Sequence, residues 1–187
     1  MSDSPVAVSA CLLGVPCRYD GQSKPSPRVQ ELVRRRTVVK ICPEVLGGLS
    51  IPRPPSGIRT GAEKEGSRCC GIQSAGSADD KNCQAGRCVG QNAVSDDRAG
   101  ALVWQGRARL INREGRDVTE EYKAGALRAL AAAQEAGVKL AVLKQHSPSY
   151  GCGSTGGADP WKRIAGDGVT AALFKAHGIA VVSDEDL

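Results

Sequence analysis

Three observations predict an α/β fold for this chain, with helices on both sides of a mainly parallel sheet. Short β-branched runs alternate with helical segments along most of the sequence. The 187 residues suffice for one domain with a real core and leave little room for two. Three of the runs end in loops carrying Cys, Glu or Ser, as expected of a parallel sheet whose site lies beyond the carboxyl ends of its strands. The expectation is one α/β/α sandwich over 1–187, Rossmann-like, with a Cys-containing loop insertion at about 62–98.

The elements follow in order. Residues 5–10 (PVAVSA) form a short buried strand ending at a Gly/Pro/Cys loop. Residues 27–36 (PRVQELVRRR) space Val29, Leu32 and Val33 helically, with Pro in the first turn and Arg in the last. Thr37 to Ile41 reads as a second strand, running into Cys42-Pro43-Glu44. Residues 47–61 are too rich in Gly and Pro for regular structure, and 62–98 show no period of 2 or 3.6. Residues 101–112 alternate around Gly106 and suggest a hairpin or edge strand. A helix over about 118–136, capped by Asp117 or Thr119 and closed by Gly137, is the clearest element. Residues 138–144 form a third buried strand that leads into the loop 146–153. A last helix near 167–177, with Asp167 as its cap, ends at Gly178, and 179–183 make the fourth strand.

Composition narrows the function. Hydrophobic residues make up 41% and charged residues 24%, which excludes wholesale disorder. No apolar run reaches the roughly 20 residues of a membrane span, and the N-terminus lacks the basic start of a signal peptide. Net charge is +5, but it is dispersed, with no long Lys/Arg block. Two Trp, three Tyr and one Phe are too few for a nucleic-acid stacking platform. Eight cysteines without an export signal are expected in a reducing cytoplasm, where thiols more often serve as metal or cluster ligands or redox groups than as disulfides.

Cys11 and Cys17 flank Gly14 and Pro16, a loop that can turn both sulfurs toward one soft metal centre. The spacing is neither that of a zinc ribbon nor of a bacterial ferredoxin, so buried inert thiols stay open as an alternative. Arg18, Asp20 and Lys24 follow as candidates for lining a substrate pocket, with pairing of Arg18 and Asp20 to each other as the alternative. His146 precedes the Ser147 loop, where it could act as a base or simply be exposed.

Residues 8–21 (VSACLLGVPCRYDG) with Ser23-Lys24-Pro25 resemble the opening signature of the bacterial thiouracil desulfidases. The resemblance continues through Cys42-Pro-Glu-Val-Leu-Gly-Gly-Leu49, Pro52-Arg-Pro-Pro55, Asp117-Val-Thr-Glu120, Leu143-Lys144, Ser147-Pro-Ser149 and residues 166–173 (GDGVTAAL). It covers most of the chain outside 62–98. It implies a [4Fe-4S] cluster on three cysteines, one iron lacking a protein ligand, and a small thiolated pyrimidine as substrate. Carried over, Cys11 and Cys17 match the first two ligands, Glu44 a catalytic acid and Ser147 a site serine. Ser149 is expected to contact the substrate with Arg18, Asp20 and Lys24. Some relatives join this domain to another and act on thiolated tRNA; with the chain ending at Leu187, a free base or nucleoside is expected and nucleic acid is not.

One position departs from the pattern. The usual ending of the last loop, Ser-Pro-Ser-Cys-Gly, has Tyr150 in place of Cys, and a phenol is a harder donor than a thiolate. Cys152, flanked by Gly151 and Gly153, is the expected third ligand through a shift of two residues, with Cys42 the next candidate and a lost cluster the remaining outcome. Ala158-Asp-Pro-Trp-Lys162 also departs from the family's usual segment. In the insertion, Cys69, Cys70, Cys83 and Cys88 match no common zinc module, and a flexible loop is expected there. The alternatives to a desulfidase are a cysteine-rich zinc-binding structural protein and an inactive relative without the cluster.

Overall fold

A computed structural model describes residues 4–60, 99–157 and 163–187. The insertion and its four cysteines lie outside the described residues, as does segment 158–162. Four strands build the central sheet: β1 (Val6–Ser9), β2 (Val38–Ile41), β5 (Leu140–Leu143) and β8 (Ala180–Ser183). Their order is β2-β1-β5-β8 and all pairs are parallel, so the mixed α/β fold with a mainly parallel sheet is as the sequence predicts.

Side chains alternate across the pleat and feed two cores. Val6, Val8 and Val142 pack with Val29 and Val33 of helix α1 (Pro27–Val33) on one face. Ala7, Ala141 and Leu143 pack on the other face with Ala126, Ala129 and Ala133 of α4 (Thr119–Glu135) and Phe174 of α5 (Val169–Ala176). Each fully buried Val, Leu or Phe contributes about 1.5–3 kcal/mol, so these stripes fix the layers. Helix α1 stops at Val33, short of the expected Arg36, because Arg34 and Arg36 close the end with turn bonds to Glu31 and Val33.

Four sequence readings are corrected. Residues 56–60, read as irregular, form β3 (Ser56–Thr60), antiparallel to β4 (Ala108–Asn112). Residues 101–104, the start of the expected hairpin or edge strand, lie in helix α3 (Ala99–Trp104), which docks on α5 through Trp104 Nε1 donating to the Val169 carbonyl at 3.0 Å. A short apolar run is ambiguous between strand and buried helix, and tertiary docking decides it. Asp167 does not cap α5: Gly168 holds that position, while the carboxylate pairs with Lys175 at 2.8 Å and accepts from the Gly153 amide at 3.0 Å. Nor does Asp117 or Thr119 cap α4: Val118 holds that position without a side-chain cap bond, and Asp117 beside it accepts from the Thr119 amide at 3.0 Å. A small hairpin of β6 (Ser154–Gly156) and β7 (Arg163–Ala165) follows the last site loop. Among the described residues no helix is long and apolar enough to cross a membrane.

The one-turn helix α2 (Pro43–Leu46) lies backbone to backbone on α4. A methyl group at Gly125 would stand 1.7 Å from the Pro43 carbonyl oxygen, and one at Gly47 would stand 1.9 Å from that of Glu121. Intrinsic propensity favours Ala over Gly in a helix by about 1 kcal/mol, so the contact reverses the usual sign. Gly125→Ala is expected to destabilise the fold by about 1–3 kcal/mol in chemical denaturation; a neutral or stabilised variant would show that the helices part freely.

Candidate functional site: a thiol-walled crevice

In the order β2-β1-β5-β8 the connections leaving β1 and β5 run to opposite sides, which opens a crevice at their carboxyl ends. The two ends are tied where the Ser9 Oγ accepts from the Lys144 amide at 2.9 Å. A cavity of about 500 Å³ opens there. Its walls come from the Cys11–Cys17 loop after β1, the Cys42–Glu44 segment after β2, and the His146–Tyr150 loop after β5.

Gly14, with φ of +90°, turns the first loop back so that both of its cysteines are buried. The Cys11 thiol contacts that of Cys17, which in turn contacts that of Cys42. Cys42 Sγ also lies 3.7 Å from the Cys17 carbonyl oxygen. The hydrogen bond from Cys17 holds the Cys11 thiol below its ordinary pKa, and the same bond pushes Cys17 up to about 11. Cys42 is pushed up as well, by its bond to Cys17 and then by burial. The three thiols thus line the same cavity, while among the described residues no group of three or more His, Cys, Asp or Glu side chains is arranged to hold a metal ion as it stands.

Beside the row stands a polar chain. Glu44, in the first turn of α2, is 9% exposed and forms an ion pair with Arg53, which is 8% exposed. Arg53 also donates to the carbonyls of Cys17 at 3.1 Å and Ser50 at 3.2 Å. Ser147 Oγ donates to Glu44 Oε1 at 3.3 Å. Two charges out of water persist only when paired and hydrogen-bonded, and here each has its partners. Tyr122, Pro54 and Pro55 complete the wall.

The loop bearing Ser147 is held rigidly. Gln145 accepts from the Cys152 amide at 2.8 Å and donates to the Cys152 carbonyl at 2.9 Å. His146 takes a left-handed φ of 64°, its Nδ1 is buried without a partner among the described residues, and its Nε2 lies 3.4 Å from Glu185. Burial, followed by Arg163, holds this imidazole below its ordinary pKa.

Of the residues singled out in the sequence, Cys11, Cys17, Arg18, Cys42, Glu44, His146 and Ser147 line the cavity. Asp20 pairs with Arg18 at 3.1 Å. Lys24 is exposed, with its amide donating to the Cys11 carbonyl at 3.0 Å. Ser149 is fully buried and shares a 2.9 Å hydrogen bond with Thr170. Cys152 does not line the cavity: its thiol lies 3.9 Å from the Val181 carbonyl and contacts Lys175. Tyr150 is buried at the cavity wall, and its hydroxyl donates to the Ile41 carbonyl at 2.8 Å. Sequence reasoning missed Arg53 and Tyr122 as wall residues. The signal for Arg53 was its frame of three prolines, which fixes a cation in a segment otherwise without regular structure.

A parallel α/β sheet whose switch point opens on three thiols and a buried carboxylate defines an α/β protein with a soft-donor site. Residues 6–86 and 91–186 match the 2-thiouracil desulfurase family, and the chain belongs to that family. It is 34% identical over 183 residues to the uncharacterized protein YbbK of Bacillus subtilis (strain 168), covering 97% of each chain. A solved structure, the [4Fe-4S]-dependent thiouracil desulfidase TudS, superposes with a TM-score of 0.68 at 32% identity, over 98% of this chain and 93% of that one.

Proposed function

We propose that this chain is a desulfidase that exchanges the sulfur of a small thiolated pyrimidine for oxygen, using a [4Fe-4S] cluster held in part by Cys11 and Cys17. The donor set suits such a group, since clusters are held by thiolates and three thiols share one wall of an open cavity. Once bound, the cluster supplies a soft Lewis acid matched to a thiocarbonyl sulfur. The overall reaction is C=S plus water giving C=O plus hydrogen sulfide, and it needs a group that moves the protons of the water.

The observation that carries this reading is the Ser147–Glu44–Arg53 chain standing beside the thiols in one cavity. Glu44 takes a proton from the attacking water at its carboxylate, with Ser147 Oγ orienting that water. Arg53 stays charged and keeps the carboxylate in place. Tyr122, Pro54 and Pro55 offer apolar surface to a flat ring, and Arg18 stands ready for its carbonyl edge.

Anaerobic reconstitution with iron and sulfide, metal quantitation, and loss of the thione absorbance of 2-thiouracil and 4-thiouridine test the reading. About four irons per chain with turnover is the expected result. A colourless, zinc-loaded protein would favour the structural alternative, and a folded protein that retains no iron would mark an inactive relative.

A further inference from the structure

We infer that Cys42 is the third thiolate ligand of the cluster in this chain, completing a donor set of Cys11, Cys17 and Cys42 from the adjacent ends of β1 and β2. The assignment rests on the desulfidase reading and adds the identity of the third ligand to it.

The sheet register brings these residues together. Ser9 of β1 is paired with Ile41 of β2, so Cys11 follows its strand by two residues and Cys42 follows its own by one. All three line the cavity, and Cys42 Sγ lies 3.7 Å from the Cys17 carbonyl oxygen. No other described cysteine lines it.

The two competitors are committed elsewhere. Tyr150 is buried, its hydroxyl proton is spent on the Ile41 carbonyl, and burial holds the phenol well above its ordinary pKa. Ligation would require breaking that bond and ionising a hard donor beside soft ones. Cys152 would have to swing its backbone, yet both its amide and its carbonyl are locked by Gln145. Its thiol lies instead near Val181 and Lys175. The same Tyr150 hydroxyl that is unavailable as a ligand anchors the strand end that delivers Cys42, since Ile41 is the residue before it. Ligation releases one proton from each thiol, to solvent.

The assignment puts a ligand and the proposed proton carrier two residues apart, at the start of α2. Removal of the cluster should therefore loosen the segment that carries Glu44.

The test is alkylation of the full chain with iodoacetamide, before and after anaerobic reconstitution, with each cysteine read by mass spectrometry. Cys11, Cys17 and Cys42 should be protected in the loaded protein and released on chelation, while Cys152 reacts alike in both states. Iron quantitation supplies the second measurement: Cys42→Ser should lose most of its iron and Cys152→Ser should keep it, with circular dichroism reporting the fold of each. If the wild type holds about four irons but Cys42 alkylates freely, or Cys42→Ser stays fully loaded, the assignment falls and the desulfidase reading survives. Protection of Cys152, or of any of Cys69, Cys70, Cys83 and Cys88, in place of Cys42 has the same meaning. A wild type that retains no iron overturns both.

Discussion

Glu44→Gln is expected to lower kcat by roughly a hundred- to ten-thousand-fold, the range that a positioned general acid-base group supplies. The amide keeps the size of the carboxylate and can still accept from Ser147, so the cavity keeps its shape while losing the group that takes the water's proton. Arg53 retains its bonds to the Cys17 and Ser50 carbonyls, which keeps the variant folded at some cost in stability. Turnover has to be compared at equal iron content, because Glu44 lies two residues from Cys42. A variant with the wild-type iron load and a near wild-type kcat would remove Glu44 from the mechanism.

Arg53→Met should produce the largest loss of stability. It leaves the Glu44 carboxylate buried at 9% exposure without its cation, and breaking a buried pair from one side costs about 3–5 kcal/mol. The methionine fills most of the volume of the arginine stem, so lost packing is a minor part of the effect. Urea denaturation of wild type, Arg53→Met and the double variant Arg53→Met/Glu44→Gln separates the charge from the packing. The double variant should recover part of the loss, since it removes the stranded charge; equal stability of the two variants would show that the pair is not the source. Arg53 also holds the Cys17 carbonyl at 3.1 Å, so its loss should weaken iron retention as well.

Much of this architecture was legible in the sequence. The four strands of the sheet are short apolar runs bounded by breakers, and α4 and α5 carry helical periodicity with Gly at or near their ends, all strong local signals. What escaped was decided by distant contacts. Strand β3 lies in Gly/Pro-rich sequence and exists because β4 offers it a partner. Helix α3 is an apolar run without its own period, fixed by docking on α5. At the site, the spacing of Cys11 and Cys17 around Gly14 and the strand-end position of Glu44 could be read directly. The fate of Cys152 could not, because it depends on a side chain, Gln145, that grips the backbone seven residues away. Ser149, expected at the substrate from the family resemblance, turns its hydroxyl inward to Thr170, a partner 21 residues away that the loop sequence does not reveal.

The close approach of α2 and α4 also bears on how this scaffold can diversify. Positions 47 and 125 admit no side chain without parting two backbones, and the segment they pin carries Glu44. In a library randomised across the chain and selected for turnover, both should emerge as glycine almost without exception. Arg18, whose side chain lines the cavity and pairs with the exposed Asp20, is where altered substrate preference should accumulate. The fold thus pins the backbone that carries Glu44 and leaves what enters the crevice to side chains that can change without moving it.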